Sequence, residues 1–330
     1  MLRVAINGFG RIGRQVLQIG INEKDIEWVA VNDLTTPEEL AYLFKYDSVH
    51  GRSSVEVKAG KDCITVAGKK IKVLSEKDPE KLPWKQLKID VVVESTGFFR
   101  KKEDAEKHIK AGAKKVLISA PGKGDILTLV KGVNDKDYDK KSHHVISNAS
   151  CTTNCLAPVA KVLNDNFGVV HGAMTTTHSY TADQSLVDSP HKDPRRGRSA
   201  ALNIVPTSTG AAKAVTKTIP ELEGKLNGHA LRVPTADGSM TDFVCVVKKP
   251  TTAEAVNKAI KKASEGYLKG IIEYTDEPIV STDIVGNIHS AIFDSKLTMV
   301  IDGTLVKVMA WYDNEIGYSK RTVDMLKTLI

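Results

Sequence analysis

Residues 4–17, "VAINGFGRIGRQVL", set Gly8, Gly10 and Gly13 in G-x-G-x-x-G order between an apolar run and a stretch with helical spacing. A glycine triplet alone constrains little. One that follows a strand and opens a helix, with an acidic residue closing the next strand, dictates a strand–turn–helix unit built to hold a dinucleotide. Asp33 is that residue, at the end of "IEWVAVND". Gly8 permits the tight turn, Gly10 lets backbone approach a pyrophosphate, and Gly13 lets helix and strand pack closely, while the helix N-terminus favours negative charge. Asp33 would accept from ribose hydroxyls and repel a 2′-phosphate, which favours NAD over NADP, although Ser189 in a later loop softens that preference. The competing reading, a glycine turn that serves only local geometry, has less support in this context.

The elements that follow extend the same pattern. "LRVAI", "IEWVAVND", "IDVVVEST" and "KKVLISAP" read as strands, alternating with helices in "RIGRQVLQIGI", "TPEELAYLFKYD" and "KKEDAEKHIKAGA", the last closed by Gly112. Such alternation predicts a mostly parallel sheet with helical crossovers, a Rossmann-type α/β domain over residues 1–150. Residues 52–74 hold short alternating segments that suggest an antiparallel insertion. After Cys151 come a helix in "TTNCLAPVAKVLNDNFG", a strand in "VVHGAMTTTHSY" and a long segment through residue 205 rich in Asp, Pro, Arg and Ser. Further strands lie in "MTDFVCVVKK", "AIFDSKLTMVIDG" and "TLVKVMAWYD", with Asp302-Gly303 a hairpin turn. The expectation for residues 151–314 is an α+β catalytic and oligomerisation domain with a largely antiparallel sheet. A terminal helix over 315–330 would dock back on the first domain.

Composition excludes several classes. No stretch approaches ~18 uninterrupted apolar residues and no targeting signal precedes the first strand, so the expectation is a cytoplasmic protein with no membrane partner. The formal charge of +7 would suit a polyanion. However, the lysines are dispersed along amphipathic segments such as "NKAIKKASEGYLKG", and aromatics are only 5% of the chain, which leaves no stacking platform for nucleic acid as a primary role. Four cysteines are too few for a disulfide scaffold in a chain of 330 residues.

One of those cysteines has a special setting. "SNASCTTNC", residues 147–155, places Cys151 after a cluster of helix-capping residue types, in the first turn of the predicted helix. A free thiol is only about 3% ionised at pH 7, and a helix N-terminus lowers its pKa by at most about one and a half units, so a nucleophile needs a further partner. His178, ending its strand beside the polar loop, is the best placed; His50, His143, His144, His171 and His191 lack that combination of strand end and neighbouring hydroxyls. Cys155, one turn on, lacks a second ligand pair for zinc and reads as a packed small residue, with Cys63 and Cys245 in strands. No metal is expected.

Five stretches, "INGFGRIGR", "SNASCTTNC", "HSYTADQ", "PTSTGAAKAV" and "WYDNEIGYS", resemble the phosphorylating glyceraldehyde-3-phosphate dehydrogenase family, in order along nearly the whole chain. The resemblance implies NAD-dependent oxidation of glyceraldehyde 3-phosphate and capture of inorganic phosphate, through a hemithioacetal and thioester on Cys151 with His178 as base. It implies that Thr181 and Arg232 hold the substrate phosphate, that Ser150, Thr152, Thr209 and Gly210 hold the attacking phosphate, and that Arg196 serves either. For the cofactor it adds Arg11, Ile12, Lys77, Ser95, Thr96, Gly97, Ser119 and Asn314 to Gly8, Gly10, Gly13 and Asp33. Residues 180–205 match a loop that packs against a neighbouring subunit, implying a homotetramer. Two departures, "ADGS" after "RVPT" and Ser189-Pro190, bear on cofactor preference. The alternatives are an erythrose-4-phosphate dehydrogenase, an NADP-preferring form and, from another class, an RNA-binding module.

Overall fold

The computed structural model describes residues 1–329, which divide into two compact units: residues 1–129, 135–149 and 319 onward in the first, residues 130–134 and 150–318 in the second.

In the first unit β1 (Leu2–Asn7) runs into the glycine turn and α1 (Arg11–Gly20), followed by β2 (Ile26–Asn32) and α2 (Pro37–Lys45). Thr36 caps α2 by accepting from the Glu39 N–H, with Pro37 in its first turn. A short ribbon, β3 (Tyr46–Asp47) with β4 (Gly51–Arg52), leads to β5 (Val57–Ala59), β6 (Cys63–Val66) and β7 (Lys69–Leu74). β8 (Val91–Glu94), α3 (Lys102–Lys110), β9 (Lys115–Ile118), β10 (Leu127–Thr128) and β11 (Val145–Ser147) complete it. The sheet order is β10-β11-β9-β8-β1-β2-β7-β6-β5. β1 lies parallel between β2 and β8, so the chain leaves it in opposite directions along the sheet, the switch point at which nucleotides bind in such folds. All four residues of β8 are buried, as expected for a parallel strand covered on both faces. Residues 57–74 pair antiparallel among themselves, but β7 also joins β2 in parallel, so this segment extends the main sheet instead of standing apart from it.

The second unit opens with α4 (Cys151–Phe167) and β12 (Val169–Ser179). Between Ser179 and β13 (Val205–Ser208) no regular element forms among the described residues; this stretch is folded by its own backbone bonds, Ser185 N–H to Arg196 O at 3.0 Å and Ser189 N–H to Gly197 O at 2.9 Å. α5 (Ala211–Thr218), β14 (Leu226–Val233), β15 (Ser239–Val247), α6 (Ala253–Glu265), β16 (Ile272–Thr275), β17 (Ala291–Ile301) and β18 (Leu305–Tyr312) follow. The sheet order is β13-β14-β12-β15-β18-β17-β16, with only β12–β14 and β16–β17 parallel. Buried and partly exposed residues alternate strictly along β15 and β18, the mark of strands with one covered face. Asp302 and Gly303 both have positive φ at the β17–β18 hairpin. β14 is absent from the sequence reading because "LNGHAL" looks like a turn; Gly228 is there because a Cβ would come within 2.3 Å of the Met174 carbonyl oxygen on β12.

The last helix, α7 (Ile316–Thr328), groups with the first unit from Ser319 on, where Val323, Met325, Leu326 and Leu329 are buried in a core with Val4, Ile6 and Val16.

Candidate active site

In the first unit the expected cofactor residues gather at the carboxyl ends of β1, β2, β7, β8 and β9. Gly8 has φ +89°, and a Cβ there would lie 2.6 Å from the Thr96 N, so turn and facing wall touch at a point only glycine fits. A Cβ on Gly13 would meet the Gly8 carbonyl oxygen at 2.2 Å. At Gly10 the same atom would meet nothing within 4 Å: this residue is the N-cap of α1, with open space over a first turn that no N-cap side chain covers. That cradle has the shape and donors a pyrophosphate requires. Asp33 accepts from the Phe9 N–H at 2.6 Å and the Leu34 N–H at 2.7 Å, tying β2 to the glycine turn and keeping further lone pairs for ribose hydroxyls. Arg11 pairs with Asp47 at 2.5 Å, and Ile12 packs on the core. Ser95 Oγ donates to the Gly8 carbonyl at 2.6 Å, Ser119 Oγ to the Glu94 carbonyl at 3.2 Å, and Lys77 is exposed just past β7.

In the second unit Ser150 is the N-cap of α4, its hydroxyl accepting from the Thr153 N–H at 3.1 Å. The residue before it, Ala149, has φ +55°, a strained turn that presents Cys151 at the helix start. Cys151 Sγ lies 3.4 Å from His178 Nε2. The Ser179 carbonyl, 2.8 Å from His178 Nδ1, can only accept, so Nδ1 carries the ring proton and Nε2 presents its lone pair to the thiol. Arg232 on β14 sets Nη1 3.2 Å from the same Nδ1, donating to the Ser179 carbonyl and Thr181 Oγ1 at 3.1 Å each. Burial, together with the Arg232 charge, pushes His178 down to about 3. Burial raises the Cys151 thiol above its ordinary value against the opposing pull of Arg232. Desolvation opposes the charged form of each group, and the 3.4 Å approach leaves His178 Nε2 placed to take the thiol proton as an electrophile arrives.

The residues expected to hold anions divide into two groups. Thr181, Arg232 and Arg196 converge around Asp183: Thr181 Oγ1 donates to its carboxylate, and Arg196 pairs with it while also donating to Thr207 Oγ1 at 2.7 Å. Burial would raise Asp183, but the Thr181 hydrogen bond and the two guanidinium charges outweigh it and hold the carboxyl below its usual range. Arg232 Nε is buried with no acceptor among the described residues, a donor waiting for an anion. Thr209 Oγ1 accepts from the Ala211 N–H at 3.2 Å and Gly210 is the N-cap of α5, whose first turn meets that of α4 through Thr153 Oγ1 and the Ala211 carbonyl, 3.5 Å apart. Two helix N-termini therefore meet beside Cys151. Thr152 is buried, its hydroxyl 2.8 Å from Tyr312 Oη, so what it can offer an anion is its backbone N–H.

Sequence reasoning missed Tyr312, Thr176, Ser179 and Ser239. Tyr312 Oη bonds Thr152 and Thr176 at 2.8 Å each, and its ring meets the His178 imidazole edge-on at 5.9 Å between centroids. Thr176 is two residues before His178 on one strand face, a period-2 signal that was legible. Ser179 and Ser239 donate to Asn314 Oδ1 at 2.9 and 2.6 Å, fixing that amide so that Nδ2 is the end left to donate. Cys155 is buried and free, its sulfur 3.4 Å from Thr241 Oγ1; Cys63 and Cys245 are also buried.

Family models match both halves of the chain: the NAD binding domain of glyceraldehyde 3-phosphate dehydrogenase at residues 2–102, and the C-terminal domain of the same enzyme at residues 150–314. The chain belongs to the glyceraldehyde-3-phosphate dehydrogenase family. It is 59% identical to the glyceraldehyde-3-phosphate dehydrogenase of Geobacillus stearothermophilus, across 98% of this chain and 97% of that one. It is 60% identical to glyceraldehyde-3-phosphate dehydrogenase 2 of Trichormus variabilis and 57% to glyceraldehyde-3-phosphate dehydrogenase 1 of Bacillus subtilis, each with the same coverage. The Rossmann-type parallel sheet and the α+β, largely antiparallel partner unit agree with this membership.

Proposed function

We propose that this protein catalyses the phosphorylating oxidation of glyceraldehyde 3-phosphate to 1,3-bisphosphoglycerate with NAD and inorganic phosphate, a step of glycolysis and gluconeogenesis. The observation that carries the reading is the 3.4 Å approach of Cys151 Sγ to His178 Nε2 at the start of α4, in a chain that belongs to this family along nearly its whole length. His178 Nε2 takes the thiol proton as Cys151 attacks the aldehyde carbon and returns it to the former carbonyl oxygen, giving a hemithioacetal and a neutral imidazole. The chemistry that bound NAD supplies is acceptance of a hydride. His178 takes the hemithioacetal hydroxyl proton in that oxidation, leaving Cys151 acylated as a thioester. A phosphate oxygen then attacks the thioester carbon and Cys151 leaves as thiolate, which conserves the energy of oxidation in an acyl phosphate. The Cys151 N–H, an orphan donor of the first helical turn, and His178 stabilise the developing oxyanion.

Arg232 and Thr181 hold the substrate phosphate in this reading, supported by the unsatisfied Arg232 Nε. Arg196, already paired with Asp183, braces them. Ser150, Thr152, Thr209 and Gly210 receive the attacking phosphate at the paired starts of α4 and α5. Residues 1–150 with the terminal helix carry NAD through Gly8, Gly10, Arg11, Ile12, Gly13, Asp33, Lys77, Ser95, Thr96, Gly97 and Ser119; residues 151–314 carry catalysis and assembly, with Asn314 orienting the nicotinamide amide. The assembly is a homotetramer, consistent with the exposed Leu186, Val187, Leu202 and Ile204 in the 180–205 segment. The location is the cytoplasm; among the described residues no helix is long and apolar enough to cross a membrane.

The test is NADH formation from glyceraldehyde 3-phosphate, NAD and phosphate, compared with erythrose 4-phosphate and with NADP. Faster, phosphate-independent oxidation of the four-carbon sugar would overturn the substrate assignment, and a higher kcat/KM with NADP would overturn the cofactor preference. Light scattering at the mass of a monomer would remove the tetramer.

A further inference from the structure

Three adjacent parallel strands end on polar residues that face one another: Asn7 closes β1, Asn32 closes β2 and Glu94 closes β8, with Asn7 in register with both of the others. All three are buried. The bonds among them run in one direction. Asn32 accepts the Glu76 N–H at 2.9 Å and donates to the Glu76 carbonyl at 2.9 Å, so the backbone just past β7 fixes which end of its amide is nitrogen. The same Nδ2 donates to Asn7 Oδ1 at 2.7 Å, and Asn7 Nδ2 donates to Glu94 Oε2 at 2.6 Å. From the opposite side the Trp84 indole, which can only donate, bonds His108 Nδ1 at 2.9 Å, so the His108 proton sits on Nε2 and points at Glu94 Oε2, 3.0 Å away. Glu94 Oε1 receives the Thr96 N–H at 2.9 Å and the Thr96 hydroxyl. Every contact to this carboxylate is a donor, and all orientations terminate on it.

The chain of bonds lies directly under both arms of the dinucleotide cradle. Gly8 N–H bonds the Asn32 carbonyl at 2.8 Å, Ser95 N–H bonds the Asn7 carbonyl at 2.8 Å, and the Thr96 peptide held by Glu94 is the one Gly8 packs against. We propose that Glu94, Asn7, Asn32 and His108 are positioning residues for the cofactor: a charge-terminated hydrogen-bond chain that holds the Gly8 turn and the Ser95–Gly97 wall in the geometry that accepts the dinucleotide. The proposal rests on the reading that NAD binds at this turn.

The direction of the chain makes it testable apart from packing. Glu94→Gln keeps size but puts an N–H₂ where only donors point. Turning the Asn7 amide to meet it sets Asn7 and Asn32 nitrogen to nitrogen, and turning Asn32 breaks both bonds to Glu76. Asn7→Asp sets two carboxylates side by side. Combined, Asn7→Asp and Glu94→Gln move the charge from the end of β8 to the end of β1 and restore complementary pairing. The carboxylate introduced on β1 then accepts from the amide introduced on β8 and from Asn32, and His108 Nε2, 3.4 Å from the present Asn7 Nδ2, can donate to it.

The experiment is NAD titration by calorimetry of parent, both single variants and the double variant, with kcat at saturating NAD alongside. Each single variant is expected to weaken NAD binding about tenfold, with kcat within about twofold because the reacting groups are untouched, and the double variant to recover most of the affinity. A folded Glu94→Gln protein binding NAD as tightly as the parent overturns the proposal, as does a double variant no better than the weaker single. If circular dichroism shows the single variants unfolded, the double variant decides: folded with near-parent affinity it supports the proposal, otherwise it overturns it. A parent protein that fails to bind NAD overturns the cofactor reading itself.

Discussion

The nucleotide turn and the thiol site are built from opposite materials. The turn is mostly backbone: Gly8, Gly10 and Gly13 lie within six residues, and what matters is where side chains are missing. The thiol site is mostly side chain, with Cys151, His178, Arg232 and Tyr312 drawn from α4, β12, β14 and β18. A site made of absent Cβ atoms should fail by steric intrusion and lose binding, whereas one made of functional groups should fail by chemistry and lose rate.

The largest expected effect is on the chemical side. Cys151→Ser should lower NADH formation by at least about 10⁴-fold while NAD titration by calorimetry stays near parent, because the hydroxyl is a far weaker nucleophile at neutral pH. Retention of full activity would end the thiol mechanism. His178→Asn should cost about 10²–10⁴-fold in kcat, the usual worth of a positioned base, with NAD affinity again unchanged. On the backbone side, Gly8→Ala forces a Cβ into Thr96 N at 2.6 Å and into a φ of +89°. It should lower thermal stability by about 1–3 kcal/mol and abolish measurable NAD binding, while alkylation of Cys151 by iodoacetamide proceeds at the parent rate. Slowed alkylation in that variant would break the comparison.

The smallest expected effect per step of the variable changed is one of pH. Burial raises Cys151 and lowers His178 to about 3, which predicts that the reactive thiolate grows as pH rises without an imidazolium beside it. Alkylation of the free protein should therefore climb about tenfold per unit from pH 6 to 9. A flat rate below pH 7 would reveal a thiolate–imidazolium pair and make the resting site more charged than its burial implies.

Much of the fold was legible because the parallel strands are continuous apolar runs and the helices carry their own caps, as "VVVE" and Thr36-Pro37 do. β14 was not, since Gly228 disguises a strand as a turn, and with it went the placement of Arg232 against His178. Tyr312 lies within "WYDNEIGYS", but its role was not legible there because its partners Thr152 and Thr176 are 160 and 136 residues away. The strand-end residues Asn7, Asn32 and Glu94 look like ordinary polar stops until the sheet sets them side by side.

Sequence alone determined the dinucleotide turn, the capped helix start at Cys151 and the choice of His178, because each depends on local spacing and on chemistry that residue types carry with them. Tertiary structure decided the approach of Arg232 to the thiol–imidazole pair, the desolvation of that pair and the polarity of the buried chain ending on Glu94. Those depend on desolvation and on which donor meets which acceptor across strands, and neither exists until distant segments are packed together.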